Sequence, residues 1–130
     1  MKYMLILIGE EGDQQDQMTP EQMKEVMDVW AKYGQDLSDA GAYIAGEGLQ
    51  PSPTATTVKI EAPGEHVVTD GPFAETKEQV GGFYLINCEN LDEALDWAKK
   101  VPMQPGGSIE VRPAMDFSEY GYEEPAATGA

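Results

Sequence analysis

The chain has 130 residues, a length that fits one domain of ordinary size. Its 24 acidic residues outnumber its 8 basic residues and give a net charge of −16. A surface this acidic repels phosphate backbones and anionic lipid headgroups, which argues against binding to nucleic acid or to a membrane. Hydrophobic residues make up 41% of the chain, enough for one modest core.

Cysteine and histidine counts limit the chemistry further. The single cysteine, Cys88, excludes a disulfide within the chain, and the single histidine, His66, excludes a multi-histidine metal site. We therefore predict no metal and no cofactor. The apolar run at residues 3–8 is too short for a signal-peptide core, and no run reaches the ~20 residues of a membrane span. We expect a cytoplasmic protein.

The first third of the chain predicts a strand followed by a helix. Residues 2–8 form a continuous β-prone apolar run, which indicates a strand buried on both faces. Thr19, Pro20 and Gln22 predict a helix start, because Thr19 and Gln22 have the spacing of a capping box and proline suits the first helical position. A stripe of apolar residues then recurs at helical spacing up to Gly41, and we expect it to pack in the core rather than bind a cofactor: Met23, Val26, Met27, Trp30, Tyr33 and Leu37.

The middle of the chain predicts strands. Residues 42–49 indicate a second strand, weakened by its glycines. Residues 56–61 alternate between apolar and polar, and residues 66–69 follow a turn at Pro63-Gly64, so this pair predicts a β-hairpin. After a further turn at residues 70–73, we expect one helical turn at residues 76–80, with Thr76 and Gln79 spaced as a second capping box.

The last third repeats the strand–helix–strand order. Residues 82–88 are continuously apolar and predict a buried strand. Asn90 opens a second helix that ends before Pro102, and residues 108–112 alternate as a final strand. Four residues are expected to form the apolar face of that helix: Leu91, Ala94, Leu95 and Ala98.

This order predicts an α+β fold, a ferredoxin-like split β-α-β arrangement with an inserted β-hairpin. The two helices would cover one face of the sheet, whereas its central strands are apolar on both faces. A second copy of the chain would cover the other face, so we expect a homodimer. We assign residues 1–115 to the domain and residues 116–130 to an acidic C-terminal tail that we expect to be mobile.

Four segments carry a resemblance to a known family. They are Asp70-Gly71-Pro72-Phe73 within residues 68–86, together with residues 1–5, 45–51 and 107–113. Over residues 1–115 the chain resembles the DGPF branch of the YCII-related family. The resemblance implies a dimeric α+β barrel, and some relatives accompany or are fused to extracytoplasmic-function sigma factors.

One departure from the wider family bears on catalysis. YCII-related proteins outside this branch resemble enzymes through a His–Asp pair, whose Asp follows the second helix. Here Val101 stands at that position, and residues 20–40, the first helix, contain no histidine. The acid–base chemistry of that pair is therefore not implied. The catalytic residues, if any, stay unknown at this point, and whether the protein is an enzyme stays open.

Six residues are candidates for ligand binding, and each has a structural alternative. Asp70 ends a strand, where it would bind a ligand or simply hydrogen-bond within its own turn. Lys77 and Glu78 beside it would bind a polar molecule or form a solvated surface. Glu47 would line a cleft or lie on an exposed edge strand, and Tyr84 would fill the core or reach the dimer cavity with its hydroxyl.

The sixth candidate is Arg112, which would hold an anionic group or pair with a surface acid. His66 is the obvious candidate base, but a short hairpin beside Glu65 favours an exposed and idle side chain. Cys88 ends an apolar strand, which favours inert burial.

Two functions stay open at this point. The first is a homodimer that binds a small polar molecule between the sheet and the inserted loops. The second is a noncatalytic regulatory or interaction domain with a protein partner, as the resemblance to relatives associated with sigma factors implies. A pocket lined by Asp70, Glu47 or Arg112 would favour the first function, and an exposed apolar patch on the helical face would favour the second.

Overall fold

A computed structural model describes residues 1–10 and 18–123 of the chain. Most of the acidic stretch at residues 10–16 lies outside these ranges. The described residues form strands β1 (Lys2–Glu10), β2 (Tyr43–Gly48), β3 (Thr56–Ala62), β4 (Glu65–Asp70), β5 (Glu78–Asn87) and β6 (Ser108–Pro113), helices α1 (Pro20–Asp39) and α2 (Leu91–Lys99), and short 3-10 helices at Ser52–Thr54 and Phe117–Tyr120.

Four strands form the main sheet in the order β2-β5-β1-β6, and every neighbouring pair is antiparallel. Strands β3 and β4 pair with each other in a separate two-stranded antiparallel sheet. With two helices packed on the main sheet, this architecture is α+β and consistent with the ferredoxin-like arrangement expected from the sequence.

The core lies on one face of the main sheet. Leu5 on β1 and Ile86 on β5 are fully buried there beneath Leu37 of α1 and Ala94 of α2. The expectation that residues 2–8 are buried on both faces is wrong for the described chain. Burial along β1 alternates, because both helices pack on the same face and leave the side chains of the opposite face half-buried.

Helix α1 begins as the sequence predicts. The Thr19 hydroxyl accepts a hydrogen bond from the Gln22 backbone N–H at 3.1 Å, and the Gln22 side chain accepts one from the Thr19 N–H at 3.0 Å. The capping box is therefore confirmed. One member of the expected apolar stripe departs from it, because Met27 is 64% exposed while Tyr33 and Leu37 are buried.

Helix α2 has the predicted start and part of the predicted buried face. The Asn90 side chain accepts a hydrogen bond from the Glu93 N–H at 2.9 Å, as expected of an N-cap. Ala94 is buried and Ala98 packs against the core, as predicted, whereas Leu91 and Leu95 are exposed. Trp97, which is not in the predicted set, packs against the core, so the buried face is centred on Ala94, Trp97 and Ala98.

The helical turn predicted at residues 76–80 is wrong, because β5 begins at Glu78. The Gln79 side chain, expected in a capping box, donates instead to the carbonyl oxygens of Ala74 at 2.8 Å and Thr76 at 3.0 Å. These bonds close a tight loop before the strand. Within β5 a bulge occurs at Gly81, because Leu7 of β1 pairs with Gly82 while Ile8 pairs with Val80.

The C-terminal segment is partly described. Within the predicted tail, Phe117–Tyr120 forms a 3-10 helix, and the Asp116 carboxylate caps its start by accepting a hydrogen bond from the Ser118 N–H at 3.0 Å. Residues 124–130 lie outside the described residues, so the mobility expected of the tail stays a prediction. Within the described ranges, neither helix combines the length and apolar character needed to cross a membrane.

Candidate functional site

A cavity of about 670 Å³ lies between helix α1 and the half of the sheet formed by β2 and β5. We call it the helix–sheet cavity. Trp30, Gly34 and Ser38 follow one ridge of α1 at four-residue spacing and form one wall with Gln35. The sheet side is lined by residues of β1, β2 and β5 and the residue after β2: Leu7, Tyr43, Gly46, Glu47, Gly48, Leu49, Gly81, Gly82, Phe83 and Tyr84.

Two glycines of the sheet allow close approach inside this cavity. A Cβ atom at Gly46 would lie 2.7 Å from the Tyr84 ring, and one at Gly82 would lie 2.7 Å from the Glu47 carbonyl oxygen. Neither position accepts a side chain without rearrangement. Glycine at these positions therefore allows the Tyr84 ring to approach β2 closely and allows β2 and β5 to pack against each other.

Aromatic rings join the cavity to the core. The Tyr33 ring meets the Tyr84 ring edge to face at a centroid distance of 5.2 Å, and it meets Trp97 in the same way at 6.2 Å. The Tyr33 hydroxyl donates to the Trp97 carbonyl oxygen at 2.8 Å and links α1 to α2. Burial, and then the neighbouring Tyr43 hydroxyl, raise the pKa of Tyr84 above 10.0. At neutral pH, Tyr84 thus offers an un-ionised hydroxyl that donates and accepts hydrogen bonds.

The described lining of the helix–sheet cavity contains no basic side chain. Glu47 is the charged residue among those described. Register pairs Glu47 with Phe83, so its side chain lies on the sheet face opposite to that of Tyr84. The cavity itself is therefore lined by aromatic rings, backbone and neutral polar side chains.

A second cavity, of about 620 Å³, lies beside the segment that connects β4 to β5, and we call it the loop cavity. Pro72, Phe73 and Thr76 line it together with the start of β5 and the end of β1. The Phe73 side chain is 92% exposed, so the loop cavity is open to solvent. Its charged lining residues are Glu10, Lys77 and Glu78.

The six candidate residues do not lie together in the structure. Glu47 and Tyr84 line the helix–sheet cavity, whereas Lys77 and Glu78 line the loop cavity. Asp70 and Arg112 line neither. The ligand-binding role of each stays a prediction, but one site does not contain all six in the single chain.

The surroundings of Asp70 are those of a turn residue. It is exposed, it ends β4, and it pairs with Thr56 in the register of the small sheet. The following residue, Gly71, donates its N–H to Ala55 at 2.7 Å and accepts a hydrogen bond from the Thr57 hydroxyl at 2.7 Å. These bonds fix the turn to β3 through backbone atoms of Gly71, without the Asp70 carboxylate.

Arg112 forms an ion pair with Glu110 on the same strand, with 2.8 Å between Nη2 and the carboxylate oxygen. Both side chains lie on the sheet face that carries no helix, because they pair with Met4 and Ile6 of β1. Arg112 therefore forms the surface ion pair that the sequence offers as the alternative to binding an anionic group.

The remaining ionisable residues behave largely as the sequence predicts. His66 is exposed on β4. Cys88 is buried, and burial first and Glu93 second raise the pKa of its thiol. Val101, at the position of the missing family Asp, is buried in the core. Among the described residues, no group of three or more His, Cys, Asp or Glu side chains is arranged to hold a metal ion.

Sequence reasoning missed the helical wall of the helix–sheet cavity. Trp30 is predicted to pack in the core, which it does, but it also lines the cavity, and no sequence prediction covers Gly34, Gln35 and Ser38 of this wall or Tyr43 of the sheet side. The available signal was Gly34, a glycine in the middle of an otherwise well-formed helix, at four-residue spacing from Trp30 and Ser38.

Fold and cavities together define a small α+β domain of the ferredoxin-like type, with a pocket between helix and sheet. The YCII-related domain family matches residues 1–118 of the chain. An uncharacterized protein of Rhizobium meliloti (strain 1021) is 47% identical over 93 residues, which cover 70% of this chain and 71% of that protein. The chain belongs to the YCII-related domain family, so the resemblance is confirmed at family level, while membership of the DGPF branch stays a prediction.

Proposed function

We propose that this YCII-related protein is a homodimer that binds a small polar molecule in the helix–sheet cavity. The observation that carries the proposal is the cavity itself. Its volume of about 670 Å³ falls within the ~300–1,000 Å³ typical of small-molecule sites. Its lining combines aromatic rings with a few polar groups, the usual composition of such a site.

The polar groups suit a ligand that accepts or donates hydrogen bonds. The hydroxyls of Tyr84 and Ser38 and the amide of Gln35 lie around the cavity and supply both donors and acceptors. None of the three is a strong acid or base at neutral pH, which favours binding over acid–base catalysis. A role for Lys77 and Glu78 in the loop cavity belongs to the same proposal as a second contact region.

The homodimer is supported by the sheet face that carries no helix. Along the two central strands this face presents apolar side chains that are half-buried in the single chain: Met4, Ile6, Phe83 and Leu85. Apolar strand faces of this kind are stable when covered, and an identical face is self-complementary about a two-fold axis. Two sheets packed in this way would form the dimeric α+β barrel that the resemblance implies.

Three finer assignments complete the proposal. Membership of the DGPF branch rests on Asp70-Gly71-Pro72-Phe73 and the segments around it. The inserted-hairpin description rests on the position of the β3–β4 pair between β2 and β5 in the chain. The cytoplasmic location rests on the sequence expectations given above.

A fragment panel observed by ¹⁵N-resolved NMR tests ligand binding. The panel contains neutral, cationic and anionic fragments, both planar and saturated. Glycine amides resonate in a separate region of the spectrum, so Gly34, Gly46, Gly48 and Gly82 report on the helix–sheet cavity. We expect at least one class of fragment to shift these four amides while Gly64, in the β3–β4 turn, does not move. If no fragment of any class shifts them, the cavity is not a binding site and the proposal fails.

A noncatalytic interaction domain is the second candidate, and one observation favours it. Leu91 and Leu95 lie one turn apart on α2 and are 48% and 36% exposed, which leaves an apolar strip on the helical side of the molecule. A protein partner, such as the sigma factors associated with relatives, would cover this strip. If this candidate is correct, no fragment of the panel shifts the amide signals of the cavity glycines, and Leu95→Asp abolishes binding to that partner.

A further inference from the structure

We infer that the ligand of the helix–sheet cavity is a planar ring without negative charge. This inference rests on the proposed function and specifies its ligand class. It is carried by three features of the cavity: the aromatic rings in its walls, the space beside Gly34 and Gly48, where no neighbouring atom requires glycine, and the absence of positive charge from its described lining.

Aromatic rings border the helix–sheet cavity on both sides. Tyr43 and Tyr84 lie on the sheet side, and Trp30 lies on the helical wall. Would-be Cβ atoms at Gly46 and Gly82 meet the Tyr84 ring and the Glu47 carbonyl oxygen, so these two glycines have a structural reason, the close packing of β2, β5 and the Tyr84 ring. A planar aromatic ligand gains edge-to-face or offset-stacked contacts with such rings, which a saturated ring of the same size does not gain.

Gly34 and Gly48 have no such structural reason. A Cβ atom at either position would meet no atom within 4 Å, and neither residue has a positive φ that would require glycine. Glycine in a helix interior nevertheless costs ~1 kcal/mol relative to alanine. Both residues line the helix–sheet cavity, one from α1 and one from β2. Residues that lower stability without a structural reason concentrate at functional sites. We therefore infer that the ligand occupies the space beside Gly34 and Gly48.

The charge of the site selects against anions. The described lining contains no lysine, arginine or histidine, and Glu47 lies at its border. The chain as a whole carries a net charge of −16. A negatively charged ligand would lose hydration in the cavity without gaining a counter-ion, whereas a neutral or cationic ring incurs no such penalty.

Four probes of related size test the inference by NMR titration: indole, tryptamine, indoleacetate and cyclohexylethylamine. Indole and tryptamine should shift the amides of Gly34, Gly46, Gly48 and Gly82. Indoleacetate and cyclohexylethylamine should each bind at least roughly tenfold more weakly, because one adds negative charge and the other removes planarity. The inference is overturned if indoleacetate or cyclohexylethylamine binds as tightly as tryptamine, or if neither indole nor tryptamine shifts these amides.

Two variants fill the assigned space from opposite walls. Gly34→Leu and Gly48→Val should each abolish binding of indole and tryptamine while the protein stays folded, since the first added carbon meets no neighbour at either position. Ala31→Leu is the matched control, because it adds an aliphatic side chain to an exposed position of α1 outside the cavity. Unchanged indole binding by either folded cavity variant contradicts the assignment.

The outcomes separate this inference from the proposed function. Binding of anionic or saturated fragments to the cavity glycines, at least as strong as that of planar neutral ones, disproves the ligand class and leaves small-molecule binding intact. Failure of every fragment in the full panel disproves both.

Discussion

At the scale of single residues, glycines of the helix–sheet cavity fall into two groups with different physical meaning. Gly46 and Gly82 are required by the close approach of a ring and of a carbonyl oxygen. Gly34, Gly48 and Gly81, the last at the bulge of β5, have room for a side chain and leave it unused. The same residue type thus marks tight packing at two positions and open space at three others, and stability measurements distinguish the two cases.

We expect opposite effects from two alanine substitutions. Gly34→Ala should raise the free energy of unfolding by ~0.5–1 kcal/mol, because alanine restricts the unfolded chain and favours helix. Gly46→Ala should lower it by ~1–3 kcal/mol, because its Cβ would lie 2.7 Å from the Tyr84 ring. Urea denaturation at one protein concentration measures both, and equal effects of the same sign would contradict this account.

Tyr33 gives a prediction for alkaline pH. Burial first, and then the neighbouring Tyr84 and Cys88, raise the pKa of Tyr33 well above its ordinary value of 10.0. The un-ionised form is therefore favoured in the folded state, and its contribution to stability is complete below pH 10 and is lost as the pH rises from there. Tyr33→Phe should make the free energy of unfolding less dependent on pH above 10.

The same variant has a second, pH-independent effect. It removes the hydrogen bond to the Trp97 carbonyl oxygen, which should cost ~1 kcal/mol at neutral pH. Tyr120→Phe, at an exposed position, is the matched control and should change neither quantity measurably. If the free energy of unfolding falls equally steeply with pH above 10 in Tyr33→Phe and in the unmodified protein, Tyr33 does not cause this pH dependence.

At the scale of elements, the ends of the two helices depend on local hydrogen bonds. Thr19 and Asn90 each accept a hydrogen bond from a backbone N–H three residues later. At Thr19 the bond is reciprocated by Gln22, so two N–H groups at the start of α1 are satisfied by side chains.

Thr19→Ala should lower the free energy of unfolding by ~1 kcal/mol, because it removes the hydroxyl acceptor at the start of α1. Thr19→Ser keeps the hydroxyl and should retain nearly all of the stability. Equilibrium denaturation of both variants checks the expectation, and a loss with serine as large as that with alanine would mean that the methyl group, rather than the cap, matters.

The sequence predicts elements well where the signal is local. Both helix starts and the positions of most strands follow from caps, glycines and alternation within a few residues. The segment at 76–80 shows where local signals fail, because Thr76 and Gln79 have capping-box spacing but β1 pairs with this segment and extends β5 to Glu78. Pairing with a distant strand outweighed the local helical pattern.

The candidate site was harder to predict than the fold. Glu47 and Tyr84 are among the sequence candidates and border the helix–sheet cavity, while their ligand-binding roles stay predictions; the helical wall around Gly34 is not predicted. The reason is that the wall and the sheet come together through tertiary packing of α1 on β2 and β5. Spacing within α1 shows which residues share a ridge, but it does not show which strand that ridge faces.

At the scale of the whole molecule, the two faces of the main sheet differ. One face is covered by both helices, and the other presents half-buried apolar side chains from β1 and β5. The proposed dimer would cover the second face and leave the helix–sheet cavity on the first. Dimerisation and ligand binding would then be separable by mutation.

Light scattering should give a mass about twice 14.2 kDa for the unmodified protein. Leu85→Asp, which places a charge at the centre of the uncovered face, should produce a folded monomer that retains its ligand-binding properties. Val29→Asp, at an exposed position on α1, is the control and should stay dimeric. A well-folded monomer without any substitution would contradict the dimer proposal.

The bulge at Gly81 has a consequence for how this sheet tolerates changes in length. The residues of β5 before Gly81 and those after it are out of phase by one position, since Ile8 pairs with Val80 while Leu7 pairs with Gly82. Deletion of Gly81 alone would remove the bulge, and Glu78, Gln79 and Val80 would keep their partners on β1 and their present faces. The strand can therefore lose one residue at this position while keeping its polarity, whereas loss of one residue from the regular part of β5 would exchange the inner and outer side chains on one side of the deletion.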